Sequence, residues 1–212
     1  MSQVYDRVAL IGLGLIASSI FWALKRNDVS SYITGFARSK ETRDTAKKIG
    51  LCDQVFDSVE EAVKDADLVI LCVPVGAMEQ VMLEIAPFIK TGATISDVGS
   101  VKRAVIDAVE PHLPPHVKFV PAHPLAGTEH SGPESGFASL FDNRWCLLTD
   151  HESADKQAQD KVMSFWKSLG ANVEFMDADH HDLVLAVTSH APHLIAYTMV
   201  GVADDLGKVT DS

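Results

Sequence analysis

Apolar residues in the first 120 positions fall into short continuous runs, each stopped by Gly or Pro and followed by a stretch with helical spacing. Residues 7–13 carry Val8, Ala9, Leu10 and Ile11 straight into glycine and read as a buried strand. A helix is expected over 15–26, with Ile16, Ile20, Trp22 and Leu24 among its packing residues. Residues 31–37 predict a second strand, and Ser39 is placed to cap a helix ending near Gly50. The run from Leu68 to Val73, halted by Pro74, predicts a strand buried on both faces. A helix over 78–89 and strands over 93–96 and 117–120 continue the alternation. Strand and helix at this pitch imply a doubly wound, mostly parallel α/β sheet of the Rossmann type.

The pattern then changes. Short strands are expected over 145–148 and 172–175, with a helix over 153–169 between them. Beyond Asp177 the spacing of His180, Leu183, Val184, Val187, Leu194, Tyr197 and Met199 is long and helical, with Pro192 expected to kink it. The expected division is a dinucleotide-binding domain over 1–176 and the beginning of an all-helical C-terminal domain over 177–212. A single helix cannot close a core alone, so it must pack back, meet a partner chain or belong to a longer protein.

Composition narrows the function classes. A net charge of −11 argues against a nucleic-acid partner. It leaves room for a small anionic substrate in a locally positive pocket. Three scattered cysteines, Cys52, Cys72 and Cys146, fit free thiols in a reducing compartment. No secretory signal and no apolar run of membrane-spanning length is read, so a cytoplasmic protein without a membrane partner is expected.

The turn Gly12-Leu13-Gly14-Leu15-Ile16-Ala17 lies between a strand and a helix, where glycine lets backbone approach a pyrophosphate at the helix N-terminus. Gly12, Gly14, Leu15 and Ile16 are therefore candidate cofactor residues. Val73 and Pro74, at the end of the central apolar run, join them. At the end of the second strand stand Ala37, Arg38 and Ser39, with no carboxylate for the ribose hydroxyls. Arg38, Ser39 and Lys40 suit a 2′-phosphate, which favours NADP over NAD. The alternative is a set of solvated polar residues opening a helix.

Three later motifs carry chemistry: DVGSVK at 97–102, HPLAGTEHSG at 123–132 and SHAPH at 189–193. His123, in a loop bounded by Pro124 and Gly127, offers a base near working pH. With the glycine turn, these motifs resemble the prephenate/arogenate (cyclohexadienyl) dehydrogenase family of tyrosine biosynthesis, over nearly the whole chain. The resemblance implies oxidation of a cyclohexadienol by NADP or NAD with loss of its ring carboxylate as carbon dioxide. It implies His123 as the acceptor for the ring hydroxyl proton. Ser100 would bind that hydroxyl or orient His123, or simply cap the following helix. His190 and His193, with Thr128 and Glu129, would shape the pocket for prephenate or arogenate. Lys102 is expected at the surface, with attraction of the substrate as the alternative. No metal site is expected from His180, His181, His190 and His193. The family continues into further helices that build a homodimer and supply an arginine, whereas no arginine follows Arg144. A truncated chain, or one completed by another chain, is the corresponding expectation. A β-hydroxyacid-type dehydrogenase and a non-catalytic dinucleotide-binding fragment remain as alternatives.

Overall fold

The computed structural model describes residues 4–29, 31–150 and 155–210. Six parallel strands form the main sheet in the order β3-β2-β1-β4-β5-β6. They are β1 (Arg7–Ile11), β2 (Tyr32–Phe36), β3 (Gln54–Val55), β4 (Leu68–Leu71), β5 (Thr94–Asp97) and β6 (Lys118–Val120). This is the strand order of dinucleotide-binding folds, with the crevice at the carboxyl edge where the order reverses next to β1. Alternation along the central strands feeds two cores. Val8, Leu10, Leu68 and Ile70 face one layer, where Ile20 and Leu24 of α1 (Leu15–Arg26) meet Val162, Phe165 and Trp166 of α6 (Lys156–Ser168). Ala9, Ile11, Val69 and Leu71 face the other, filled by α3 (Val59–Val63), α4 (Met78–Ile85) and α5 (Arg103–Val109).

Most expected elements stand within two to four residues of their predicted ends, and α1 has the bounds read from the sequence. Ser39 caps α2 (Lys40–Lys48) by accepting from the Thr42 N–H. The helix expected over 153–169 begins at Lys156 behind an Asp155 cap; positions 153 and 154 lie outside the described residues. The short β3 and α3 were not anticipated.

One correction bears directly on the site. His123 does not sit in a loop. It lies within β7 (Ala122–Pro124), which pairs antiparallel with β8 (Trp145–Asp150). β8 pairs in parallel with β9 (Asn172–Asp177), so these strands form a second, three-stranded sheet. A ladder on the neighbouring strand thus fixes the His123 backbone, which a loop would not do.

Helix α7 (Ala178–Leu185) packs on the main domain, with Ala178, His181 and Leu185 buried. A π-turn at Ala186–His190 leads into α8 (Ala191–Thr210). The irregularity falls just ahead of Pro192, which has no N–H to return to the Thr188 carbonyl. Most of α8 is exposed, including Leu194, Ile195, Tyr197, Met199 and Val200. Ala178–Leu206 is a 29-residue helical stretch long and apolar enough, by length and composition, to cross a membrane. That overturns the expectation that no segment reaches this length.

The segment between β7 and β8 is held down on α1. The Phe137 N–H donates to Ser19 Oγ at 3.1 Å, and a Cβ added to Gly136 would lie 2.2 Å from that of Ser18. Gly136→Ala should therefore lower stability by about 1–3 kcal/mol through overpacking, read as a lower urea midpoint at unchanged slope. An unchanged midpoint would show that this segment is not docked on α1.

Candidate active site

The glycine turn is shaped by two different demands. Gly12 has φ +98°, and a Cβ there would lie 2.5 Å from the Cys72 carbonyl oxygen and 2.8 Å from the Val73 side chain. Only glycine fits against the end of β4. Gly14 has nothing within 4 Å of a Cβ position, so space opens in front of it. Helix α1 starts there without a side-chain cap and without an acidic residue in its first turn. Its leading N–H groups, around Leu15 and Ile16, therefore face an open, positively polarised site fit for a pyrophosphate. Val73 is half-buried and Pro74 exposed at the adjoining strand end.

At the end of β2, Ala37 is buried while Arg38 and Ser39 are exposed. The Ser39 hydroxyl serves as the helix cap, 3.4 Å from the Thr42 nitrogen. Arg43 fixes this turn by donating to the carbonyls of Ala37 at 2.7 Å and Arg38 at 2.9 Å. Sequence reasoning missed Arg43, although an arginine one turn inside a helix is well placed to reach back to such carbonyls.

The candidates for catalysis and substrate binding converge elsewhere. Ser100, His123, Thr128, Glu129, His190 and His193 all line one cavity of about 860 Å³. Leu185, Thr188, Ser189 and Tyr197 complete its helical wall. Ser100 is exposed to this cavity and is not a helix cap. Helix α5 begins three residues later and is capped from across the fold by Asp182, which accepts the N–H of Lys102 at 2.7 Å and of Arg103 at 3.0 Å.

That carboxylate also starts a chain to His123. Asp182 Oδ1 lies 2.8 Å from His181 Nδ1, and His181 Nε2 lies 2.9 Å from His123 Nδ1. Burial works against ionisation of Asp182, but the hydrogen bonds from Lys102, Arg103 and His181 outweigh it and hold its carboxyl below the usual range. The network then assigns the protons. His181 donates from Nδ1 to Asp182, its Nε2 accepts from His123 Nδ1, and His123 Nε2 keeps a lone pair for the cavity that His123 lines. Burial pushes the His123 pKa down to about 3, helped by Lys102, His181 and His190 and opposed by Asp182. His181 is lowered by burial against the opposing hydrogen bond to Asp182. Neither His181 nor Asp182 was singled out for this role from the sequence. The signal was present: His180-His181-Asp182 at a helix start turns one imidazole out, His180, and one in, His181.

Lys102 corrects a second expectation. It is fully buried rather than a surface residue. Its ammonium reaches Asp97 Oδ2 at 2.5 Å and the Ala122 carbonyl at 2.7 Å. A lysine five residues after an aspartate, across Gly99 and Ser100, reads as solvated because isolated lysines nearly always are.

Comparison with known proteins decides the family. The model of the prephenate dehydrogenase nucleotide-binding domain matches residues 20–175. The cyclohexadienyl dehydrogenase of Zymomonas mobilis is 43% identical over 205 residues, covering 97% of this chain and 70% of that protein. The chain belongs to the prephenate dehydrogenase family. Prephenate dehydrogenase of Bacillus subtilis is 36% identical over 204 residues, covering 94% of this chain and 54% of that protein. Among solved structures, prephenate dehydrogenase of Aquifex aeolicus in complex with hydroxyphenyl propionate and NAD+ superposes with a TM-score of 0.85 at 30% identity. The match covers 95% of this chain and 69% of that one. The chain thus spans from about half to about seven-tenths of the length of these relatives. The family match begins inside α1, so the glycine turn stands on its own geometry.

Two outcomes are expected for the His123 chain. Its folded pKa is depressed below 6.5, so the stability of the neutral, buried form is full above about pH 6.5 and is lost as pH falls toward about 3. The acid limb of kcat/KM, which reports the free enzyme, should accordingly lie below 6.5; a limb at or above 6.5 would contradict a neutral, buried His123. Asp182→Ala removes both the cap of α5 and the anchor of His181. It should cost about 1–2 kcal/mol in chemical denaturation and lower kcat roughly 10²-fold through misorientation.

Proposed function

We propose that this chain carries the NAD(P)-dependent oxidative decarboxylation of a cyclohexadienol, prephenate or arogenate, in tyrosine biosynthesis. The observation that carries the reading is a neutral imidazole, His123, whose tautomer leaves Nε2 as acceptor in a cavity shared with Ser100, Thr128, Glu129, His190 and His193. When bound, the nicotinamide supplies the acceptor for the hydride of the ring carbinol carbon. His123 Nε2 takes the hydroxyl proton as the carbinol becomes a carbonyl. Breaking the bond to the ring carboxylate releases carbon dioxide, and its electron pair aromatises the ring. The oxygen then regains a proton from His123, giving the phenol. The imidazolium formed in between is stabilised through His181 by the Asp182 carboxylate. Ser100 hydrogen-bonds the same hydroxyl, while Thr128, Glu129, His190 and His193 form the rest of the pocket.

The cofactor residues of this reading are Gly12, Gly14, Leu15, Ile16, Ala37, Arg38, Ser39, Val73 and Pro74. NADP is favoured over NAD because exposed Arg38 stands where an acidic residue would otherwise meet the ribose. The same proposal divides the chain at 176/177 into a dinucleotide-binding part and the start of a helical part. Apolar side chains on α8 fit a homodimer contact, and the free thiols of Cys52, Cys72 and Cys146 fit a reducing, cytoplasmic compartment.

The deciding experiment is reduced-cofactor formation with prephenate and with arogenate, each run with NADP and with NAD. Turnover of either substrate supports the reading; a folded, cofactor-binding chain that turns over neither refutes it. His123→Ala should lower kcat by about 10²–10⁴-fold with cofactor affinity unchanged. Arg38→Ala should weaken NADP about tenfold by loss of a charged phosphate contact and leave NAD nearly unaffected. Equal losses would remove Arg38 from phosphate recognition.

A further inference from the structure

We propose that the buried Lys102–Asp97 pair is a positioning device for the reaction, clamping the Ser100 turn, the His123 strand and the His181–Asp182 arm into one arrangement. The inference rests on the dehydrogenase reading above and assigns a role to two groups that take no direct part in it.

The geometry is a closed set of hydrogen bonds around Ala122, the residue before His123. The Lys102 ammonium donates to Asp97 Oδ2 and to the Ala122 carbonyl, at 2.5 and 2.7 Å. Asp97 Oδ1 accepts the Ala122 N–H at 3.0 Å, so both polar groups of that residue's main chain are held by one ion pair. Asp97 Oδ2 also accepts the N–H of Gly99, immediately before Ser100, at 2.7 Å. A Cβ on Gly99 would lie 2.9 Å from that oxygen, so the turn is pressed onto the carboxylate. From its main chain, Lys102 donates to the same Asp182 oxygen that holds His181. One residue therefore fixes the strand of His123 with its side chain and the partner of His123 with its backbone.

Stability alone does not explain such a pair. Both side chains are fully buried, and a buried ion pair is generally matched or bettered in stability by apolar residues of the same volume. What the pair does supply is orientation and field. The ionisable groups around His123 are Lys102 before α5, Asp97 at the end of β5, Cys146 on β8, His181 and Asp182 on α7, and His190 on the π-turn; Glu129 on the facing loop and His193 and Tyr197 on α8 line the same cavity. Lys102 is the strongest of the charges that disfavour the His123 imidazolium. The same clamp thus aims the base and keeps it unprotonated before substrate arrives.

The test is the double variant Lys102→Met with Asp97→Asn, compared with the wild-type chain. It removes both charges together, and the amide introduced at position 97 can still accept from one N–H. The expected result is dinucleotide affinity within about threefold of wild type, kcat lower by roughly 10²-fold, and KM within about threefold. The acid limb of kcat/KM should move to higher pH, because of the two charges removed Lys102 is the one that weighs on His123 protonation. A kcat within threefold and an unmoved acid limb would overturn the proposal, as would losses that merely track dinucleotide affinity. A second measurement needs no turnover: histidine side-chain NMR of His123 in both proteins. The expected result is an Nδ1–H tautomer in the wild type, titrating at lower pH than in the variant. Identical titration overturns the clamp, even where the wild type turns over neither substrate and the reaction reading itself fails. Should the variant not fold, the wild-type spectrum decides: the Nδ1–H neutral form supports the arrangement, and an Nε2–H form or an imidazolium at neutral pH overturns it.

Discussion

A carboxylate buried at the end of a central strand must have its lone pairs filled, and the way Asp97 fills them organises everything downstream. Its acceptors are taken by the N–H of Gly99, the N–H of Ala122 and the ammonium of Lys102. Those three donors come from the turn before α5, from the junction between the two sheets and from a residue five positions on. Losing either N–H would leave a buried donor unsatisfied at a cost of about 1–3 kcal/mol, and losing the ammonium would strand a charge at about 3–5 kcal/mol. The backbone therefore has little freedom where Ser100 and His123 emerge. Asp182 repeats the device from the other side, with one carboxylate capping a helix and orienting an imidazole at once. Two residues that line the cavity, Ser100 and His123, directly follow Gly99 and Ala122, which Asp97 holds in place.

The main sheet was legible because parallel strands buried on both faces leave an unbroken apolar signature, as in Leu68-Val69-Ile70-Leu71. The α1 bounds were legible because a glycine turn opens that helix and a basic last turn closes it. The short β3 and α3 were not, since two polar-edged residues and one helical turn carry no period. β7 was hidden for another reason: a three-residue strand ending in Pro124 looks like a loop, and only its ladder to β8 reveals it. At the site, six residues read from motifs do line one cavity. The residues that orient them were illegible because their meaning lies in contacts 58 and 80 positions apart, His123 to His181 and Lys102 to Asp182. Lys102 and His181 each look ordinary in one dimension and become unusual only when buried.

The helical segment shows how one element serves two surfaces. Its first turns are drawn onto the sheet domain by Ala178, His181 and Leu185. The π-turn then carries Thr188, Ser189 and His190 into the cavity wall, with His193 and Tyr197 next on α8. An extra residue in the turn rotates the downstream side chains relative to a regular helix, and such bulges recur at functional sites. Beyond the wall, the apolar residues of α8 stay open to solvent. Sequence periodicity detected the helix but not this change of facing, because the periodic pattern continues through the π-turn unbroken.

The electrostatics of the cavity resolve an apparent conflict in using His123 as a base. A group whose pKa lies far below neutrality is a poor proton acceptor, and burial together with Lys102 drives His123 in that direction. A substrate bearing carboxylates changes the sum. Bringing negative charge close to a buried imidazole raises its proton affinity, and the burial of His123 magnifies the effect. The charges that keep His123 neutral in the empty cavity are thereby offset by the ligand itself. In the proposed reaction His123 gains strength as a base when the substrate is present, and the acid limb of kcat should then stand at higher pH than that of kcat/KM. An exposed histidine with an ordinary pKa would spend part of its time protonated and would lack this coupling. On the role proposed for His123, the buried arrangement links basicity to occupancy, and that link is a physical reason to enclose a lysine beside this imidazole in a protein of net charge −11.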